Sequence, residues 1–204
     1  MGIDNIDRSV YVRVMKTTKR KSEARQRIIE TAEMLFYAEG VRTVGIDRVI
    51  AESKVAKMTL YNHFKSKDEL ILEVLKYRDH KINAIFDADI TFFKSEGMTP
   101  IRALFATIKK WFDGEGFRGC AFLNASAELA DANHPGFIFS AEHKNAFRKL
   151  ITDIVVETNG PEAEGVAQAI SLLVEGAIVT AVLQKSSDAA DVALAAAETL
   201  LQSV

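Results

Sequence analysis

Residues Thr43 to Leu70, TVGIDRVIAESKVAKMTLYNHFKSKDEL, limit the fold more than any other part of the chain. They hold two apolar runs, each too short to stand as a lone helix, with a tight turn between them. Val44, Ile46, Val49 and Ile50 form the first stripe, which ends near Ser53, and Lys54 and Val55 fit the turn. The second run, Lys57 to Phe64, sets Leu60 and Phe64 four apart on an inward face. Its outer face offers Lys57, Thr59, Tyr61, Asn62 and His63, which are hydrogen-bonding groups and a flat ring without a carboxylate. Ser66 to Glu69 then reads S-x-x-E, a capping box that opens a further helix beside Lys65 and Lys67. A brace helix followed by an exposed, acid-free helix is the division of labour that a helix-turn-helix needs on DNA. A helical hairpin with a merely solvated polar face has the same pattern, and pattern alone does not separate the two.

The charge distribution favours the first of these. The chain of 204 residues has a net charge of −2, but residues 1–81 carry +5 and residues 82–204 carry −7. A basic end joined to an acidic end suits one module that faces DNA and one that does not. Three prolines and 48% hydrophobic content argue against disorder. No apolar run is expected to span a membrane, and MGIDNIDRSV lacks the apolar core of a secretory signal, so a cytoplasmic protein is expected. The single cysteine, Cys120, leaves no intramolecular disulfide and no Cys-rich zinc site.

Periodicity predicts an all-α chain of about nine helices. Residues 1–21 show no sustained period and read as a flexible basic arm, residues 22–66 as the helix-turn-helix domain, and residues 67–204 as a second helical domain. Ser22 is the expected cap of helix 1, whose stripe is Ile28, Ala32, Leu35 and Phe36 and whose end is Gly40. Helix 4 has no breaker from Ser66 to Gly97, with Ile71, Val74, Leu75, Ile82, Ile85 and Phe86 inward. At 1.5 Å per residue it would span about 40 Å, too long to belong to the small basic module alone. Thr99 and Pro100 open helix 5, followed by helix 6 at Cys120 to Ala130, helix 7 from about Phe137 to Thr158, helix 8 from about Glu162 to Gln184 and helix 9 from about Asp188 to Leu201.

Asn124, His143 and Glu175 interrupt apolar stripes in the acidic part. A buried polar group needs a partner, which is either another protein group or a ligand. Phe105, Trp111, Phe112, Phe117, Phe122, Phe137 and Phe147 fit a core more readily than a pocket wall. Taken together, Phe105, Trp111, Phe112, Cys120, Asn124, His143 and Phe147 are the candidate ligand-binding set, for a mainly apolar molecule with one or two polar atoms. No Lys or Arg cluster is expected on those faces, so a polyanion is not expected. Helix 8 is apolar or small almost all round from Val166 to Leu183, and helix 9 is Ala-rich, so each needs two packing partners. Val166, Ile170, Leu173, Ala177, Val192 and Ala196 are therefore expected to meet a second copy as a four-helix bundle. An enzyme is not expected. Cys120 with His134 or His143 is the only thiol pair, and His80, Asp131, His134 and His143 lack metal-ligand spacing. No cofactor or metal is anticipated. Cys120 at a helix start also fits a redox-sensitive thiol.

The run T-V-x-x-x-x-V-I-A-E-S-x-V-A-K-x-T-L-Y-x-H-F-K-S-K-D-E-L resembles the DNA-binding signature of the tetracycline-repressor (TetR-like) family of bacterial transcriptional regulators, over about Arg25 to Leu75. Lys54 stands where that family usually has glycine in the turn, and Met58 where it usually has a small residue. The resemblance implies a homodimer on a palindromic DNA operator, with Thr43, Lys57, Tyr61, His63 and Lys67 toward phosphate and Met58, Thr59 and Asn62 on the recognition face. It also implies a small-molecule effector bound between helices 4 to 8 that displaces helix 4 and releases DNA. A sequence-indifferent DNA-binding or scaffolding dimer without an effector is the alternative.

Overall fold

The computed structural model describes residues 8–203, with side chains from Ser22 onward. Over that span the chain is helical and has no strand: α1 (Arg8–Glu39), α2 (Ile46–Ser53), α3 (Lys57–His63), α4 (Lys67–Ser95), α5 (Pro100–Phe112), α6 (Ala121–Leu129), α7 (Pro135–Asn159), α8 (Glu164–Gln184) and α9 (Asp188–Leu201), with a short 3-10 turn at Pro161–Ala163. The all-α reading holds. The chain forms two compact units that divide between Val74 and Leu75. That division lies beyond the expected boundary at 66/67, because Leu70, Ile71 and Val74 at the start of α4 are buried with the first unit.

The expected arm is helical from Arg8, and Ser22 is an interior position of α1 rather than its cap. No glycine or proline interrupts the chain from Arg8 to Glu39. Its Lys, Arg and Met residues are good helix formers, so a helix already nucleated by its packed half can extend backward through them. The part of the expected arm before Arg8 lies outside the described residues. Gly40 ends α1 with φ 95°, donating its N–H to the Phe36 carbonyl.

In the first unit α1, α2 and α3 pack on one another. Ile28, Ala32, Val49, Leu60 and Phe64 are fully enclosed, which is how two helices too short for independent stability are held. Helix α2 closes with Lys54 in the left-handed region (φ 55°, ψ 41°). Lys54 N–H bonds the Ala51 carbonyl and Val55 N–H the Ile50 carbonyl, which is a Schellman closure built without glycine. Ser53 Oγ donates to the Val49 carbonyl at 2.6 Å beneath the same turn.

The second unit contains α5 to α9 and the remainder of α4. Pro100 occupies the first turn of α5, but the Thr99 side chain makes no capping bond. Helix α8 packs against α7 and α9, and α5 against α7 and α9. Along α4, Phe86 is buried and Ile82 half-buried, whereas Ile85, expected inward, is exposed. Gly119 (φ 82°) allows the loop before α6 to approach α8; a Cβ there would lie 2.9 Å from a Val182 methyl. The expectation of no membrane-length apolar run is not met. Pro161–Gln184 is long and apolar enough to cross a bilayer, with a mean hydropathy of 2.0. Ala167, Ile170, Val174, Ala177, Ile178 and Ala181 of this helix are buried within the unit, so one side of it is core.

Candidate nucleic-acid interface and effector cavity

Helix α3 owes its orientation to two anchors. Leu60 and Phe64 are fully buried, and the guanidinium of Arg25 lies over the Phe64 ring, 5.4 Å from its centroid, while pairing with Glu73 at the start of α4. With that side committed to the core, Lys57, Met58, Tyr61 and Asn62 project outward, and Thr59 and His63 lie half-buried at the edges. Met58 is 69% exposed on this outer face. Thr43, before α2, is also exposed. No acidic residue lies in the first turn of α3.

The start of α4 is capped as S-x-x-E implies, with one change of partner. Ser66 Oγ accepts from the Glu69 N–H at 3.1 Å, and the Glu69 carboxylate accepts from the Lys65 N–H at 2.7 Å. This fixes the backbone that carries Lys65 and Lys67 beside the recognition helix. Lys57 Nζ reaches the Asp47 carboxylate at 3.4 Å and Lys67 Nζ the Arg42 carbonyl at 3.4 Å. The Lys57 contact is long and exposed, so its ammonium group can be redirected to a phosphate at little cost.

The second unit contains a partly open cavity with about 40 Å³ of space for the centres of water molecules. One wall comes from α4, where Arg78, Ile82, Asn83 and Phe86 line the space, and Asp79 lies on the same helix face at i with Ile82, Asn83 and Phe86 at i+3, i+4 and i+7. Trp111 of α5, Cys120 before α6 and Phe122 of α6 also line it, and His143, Lys144 and Phe147 supply the α7 side. Phe86 meets Trp111 and Phe147 edge-on, with centroids 6.0 and 5.7 Å apart. His143 Nδ1 donates to the Asp79 carboxylate at 2.6 Å, and its ring stacks on Phe122 with centroids 3.5 Å apart. Burial pushes the imidazole below its ordinary range, against the hydrogen bond and charge of Asp79, which raise it.

Of the expected ligand-binding set, Trp111, Cys120, His143 and Phe147 border this cavity. Phe105 and Phe112 are buried elsewhere in the core. Asn124 does not line the cavity; its side-chain amide turns back to the Arg118 carbonyl at 2.9 Å and closes the loop before α6. Glu175 is taken by Lys144 in an ion pair. Two basic side chains, Arg78 of α4 and Lys144 of α7, border the cavity. Asp79 is the residue that sequence reading missed, although a carboxylate seven before Phe86 on the same face was a usable signal. Cys120 is 4% exposed, and among the described residues no hydrogen bond joins it to His143, as an activated thiol would require. No group of three His, Cys, Asp or Glu among the described residues is placed to hold a metal.

The residues expected at an interface between copies divide in two. Ile170 and Ala177 are buried in this chain's own core, one turn-face away from where they were expected. Val166, Leu173 and Ala196 are half-buried, and Val192 is 70% exposed. The open apolar face of α8 is instead Leu172, Gly176, Val179 and Leu183, spaced i, i+4, i+7 and i+11. Leu172 and Leu183 are 74% and 78% exposed.

Two short helices joined by a tight turn, with the second presenting a polar, acid-free face, define a helix-turn-helix protein. Residues 28–74 match the family of bacterial regulatory proteins designated tetR. The structure superimposes on SCO4454, a TetR-family transcriptional regulator from Streptomyces coelicolor, with a TM-score of 0.79 and 34% identity, covering 90% of this chain and 96% of that one. The chain is also 34% identical over 80 residues to the HTH-type transcriptional regulator SrpR of Pseudomonas putida, a match spanning only 38% of SrpR. It is 25% identical over 175 residues to the HTH-type transcriptional regulator YxaF of Bacillus subtilis, spanning 81% of this chain and 88% of YxaF. The chain belongs to the TetR family of bacterial transcriptional regulators.

Proposed function

We propose that the chain is a ligand-responsive repressor that binds a palindromic operator as a homodimer and is released from it by a small, mainly apolar effector. The observation that carries this reading is the continuity of α4. One helix, Lys67–Ser95, supplies the capped start beside the recognition helix and, further along, the Arg78–Phe86 wall of the cavity. A molecule entering the cavity pushes on that wall, and an unbroken helix passes the displacement to its own first turns. In a dimer, this changes the separation of two recognition helices that must sit about 34 Å apart in successive major grooves. The effector needs higher affinity for the DNA-incompetent state, since equal affinity for both would shift nothing.

Thr43, Lys57, Tyr61, His63 and Lys67 would hold phosphates, and Met58, Thr59 and Asn62 would approach base edges. The open faces of α8 (Leu172, Gly176, Val179, Leu183) and α9 (Val192) support a four-helix bundle with a second copy, since large exposed leucines and valines gain by being covered. A bilayer is the less favoured cover for α8, because its other side is committed to the core of this unit. On this reading the protein works in the cytoplasm, where the chromosome is.

Selection of bound fragments from the source genome tests the proposal. Recovery of a short set sharing an inverted repeat is the expected result. Uniform recovery of all fragments, with affinity set only by salt, would instead mark a sequence-indifferent scaffold.

A further inference from the structure

The cavity contains one polar ring whose hydrogen-bonding state is decided by its neighbour. A carboxylate only accepts, so the 2.6 Å contact with Asp79 fixes a hydrogen on Nδ1 of His143. Burial holds the imidazole below its ordinary range, so the ring is neutral at pH 7 and Nε2 carries a lone pair. Among the described residues nothing donates to that Nε2; the ring's other contact is its face, stacked on Phe122 at an interplanar angle of 17°. The nitrogen is therefore an acceptor at the edge of a ring-lined space, and it selects a ligand that brings a donor. A neutral ketone, ether or ester would set acceptor against acceptor at this nitrogen. A protonated amine would donate but would meet Arg78 and Lys144 at the cavity border.

We propose that the cavity takes a small phenol, with its aromatic ring against Phe86, Trp111, Phe122 and Phe147 and its hydroxyl donating to Nε2 of His143. The inference rests on reading this cavity as the effector site. The space, about 40 Å³ for water centres, is a few times what one water needs and is partly open, so a ring would seat in it with one edge toward solvent. The hydroxyl supplies a donor to Nε2, and the ring covers the apolar walls.

The matched probes are 4-methylphenol, 4-methylanisole and 1,4-dimethylbenzene, titrated into the full-length protein by calorimetry. Fluorescence of Trp111, the single tryptophan of the chain and a wall of the cavity, gives a second readout. The methyl ether keeps the ring and loses the donor, leaving Nε2 desolvated and unpaired. We expect 4-methylphenol to bind about tenfold or more tighter than 4-methylanisole, and His143→Leu to abolish that preference. Should the leucine variant fail to fold, the wild-type comparison still decides. Equal affinity of wild type for the phenol and its ether overturns the phenol assignment while leaving the cavity a ligand site. No saturable binding of any of the three, with Trp111 emission unchanged, overturns the effector-site reading as well.

Discussion

The carboxylate of Asp79 on α4 accepts the Nδ1–H of His143 on α7 at 2.6 Å, fastening the two helices beside the cavity. The imidazole is also the group whose proton affinity burial lowers most clearly, with Lys144 lowering it further and Asp79 and Glu175 opposing. Its folded pKa lies below the unfolded value of about 6.5, so the unfolded chain takes the proton more readily. The stability linked to this ring is complete above that unfolded value and is lost as pH falls from it toward the folded value. Thermal unfolding at a series of pH values between 7.5 and 5.5 should therefore show a steeper loss for wild type than for His143→Gln. Parallel curves would show that His143 does not titrate as described.

Lys54 holds φ 55° to close α2, a conformation that costs a residue with a Cβ about 1 kcal/mol and costs glycine almost nothing. Lys54→Gly should raise the melting temperature by about 2–4 °C. A lower melting temperature would mean that the lysine stem contributes packing that outweighs the backbone strain.

The fold was largely legible because its signals are local. The short stripes around Val49 and Leu60, S-x-x-E at Ser66 and the breaks at Gly40 and Asn159–Pro161 each act within a few residues. The start of α1 was not legible, since helix continuing through Arg8 to Lys21 depends on what nucleates it rather than on its own period. The cavity was half legible. Trp111, Cys120, His143 and Phe147 stand out as rings or polar breaks in apolar stripes, whereas Asp79 matters only because α7 brings His143 to it. Asn124 and Ala177 show the converse limit. Both occupy a helix stripe, but which way the stripe turns is decided by the neighbouring helices, and those placed Asn124 on a loop carbonyl and Ala177 in the core.

Lys67 is positioned by the Ser66–Glu69 cap, and phosphate contacts carry no sequence information. Lys67→Ala should weaken operator and random DNA about equally and flatten the slope of log affinity against log salt by about one. Met58→Ala should leave the slope alone and change sequence preference. A Lys67→Ala variant that keeps its slope but loses specificity would place this residue at a base edge.

The open face of α8 predicts where assembly can be broken. Leu172→Arg and Leu183→Arg introduce charge at positions 74% and 78% exposed in the single chain, so the folded chain tolerates them while a four-helix bundle cannot. Sedimentation should give a folded monomer for these variants and a dimer for wild type at micromolar concentration. Ala177→Arg should instead unfold the second unit, because that position is core. A wild-type monomer at that concentration would refute the bundle.

Linkage between the two sites tests the central claim most directly. Operator affinity is measured by anisotropy with and without saturating 4-methylphenol, or whichever cavity ligand binds, and ligand affinity by calorimetry with and without operator. If α4 couples the cavity to the DNA-binding face, each ligand weakens the other by the same factor, which we expect to be about tenfold or more. Ligand that saturates the cavity while operator affinity stays unchanged would contradict the account.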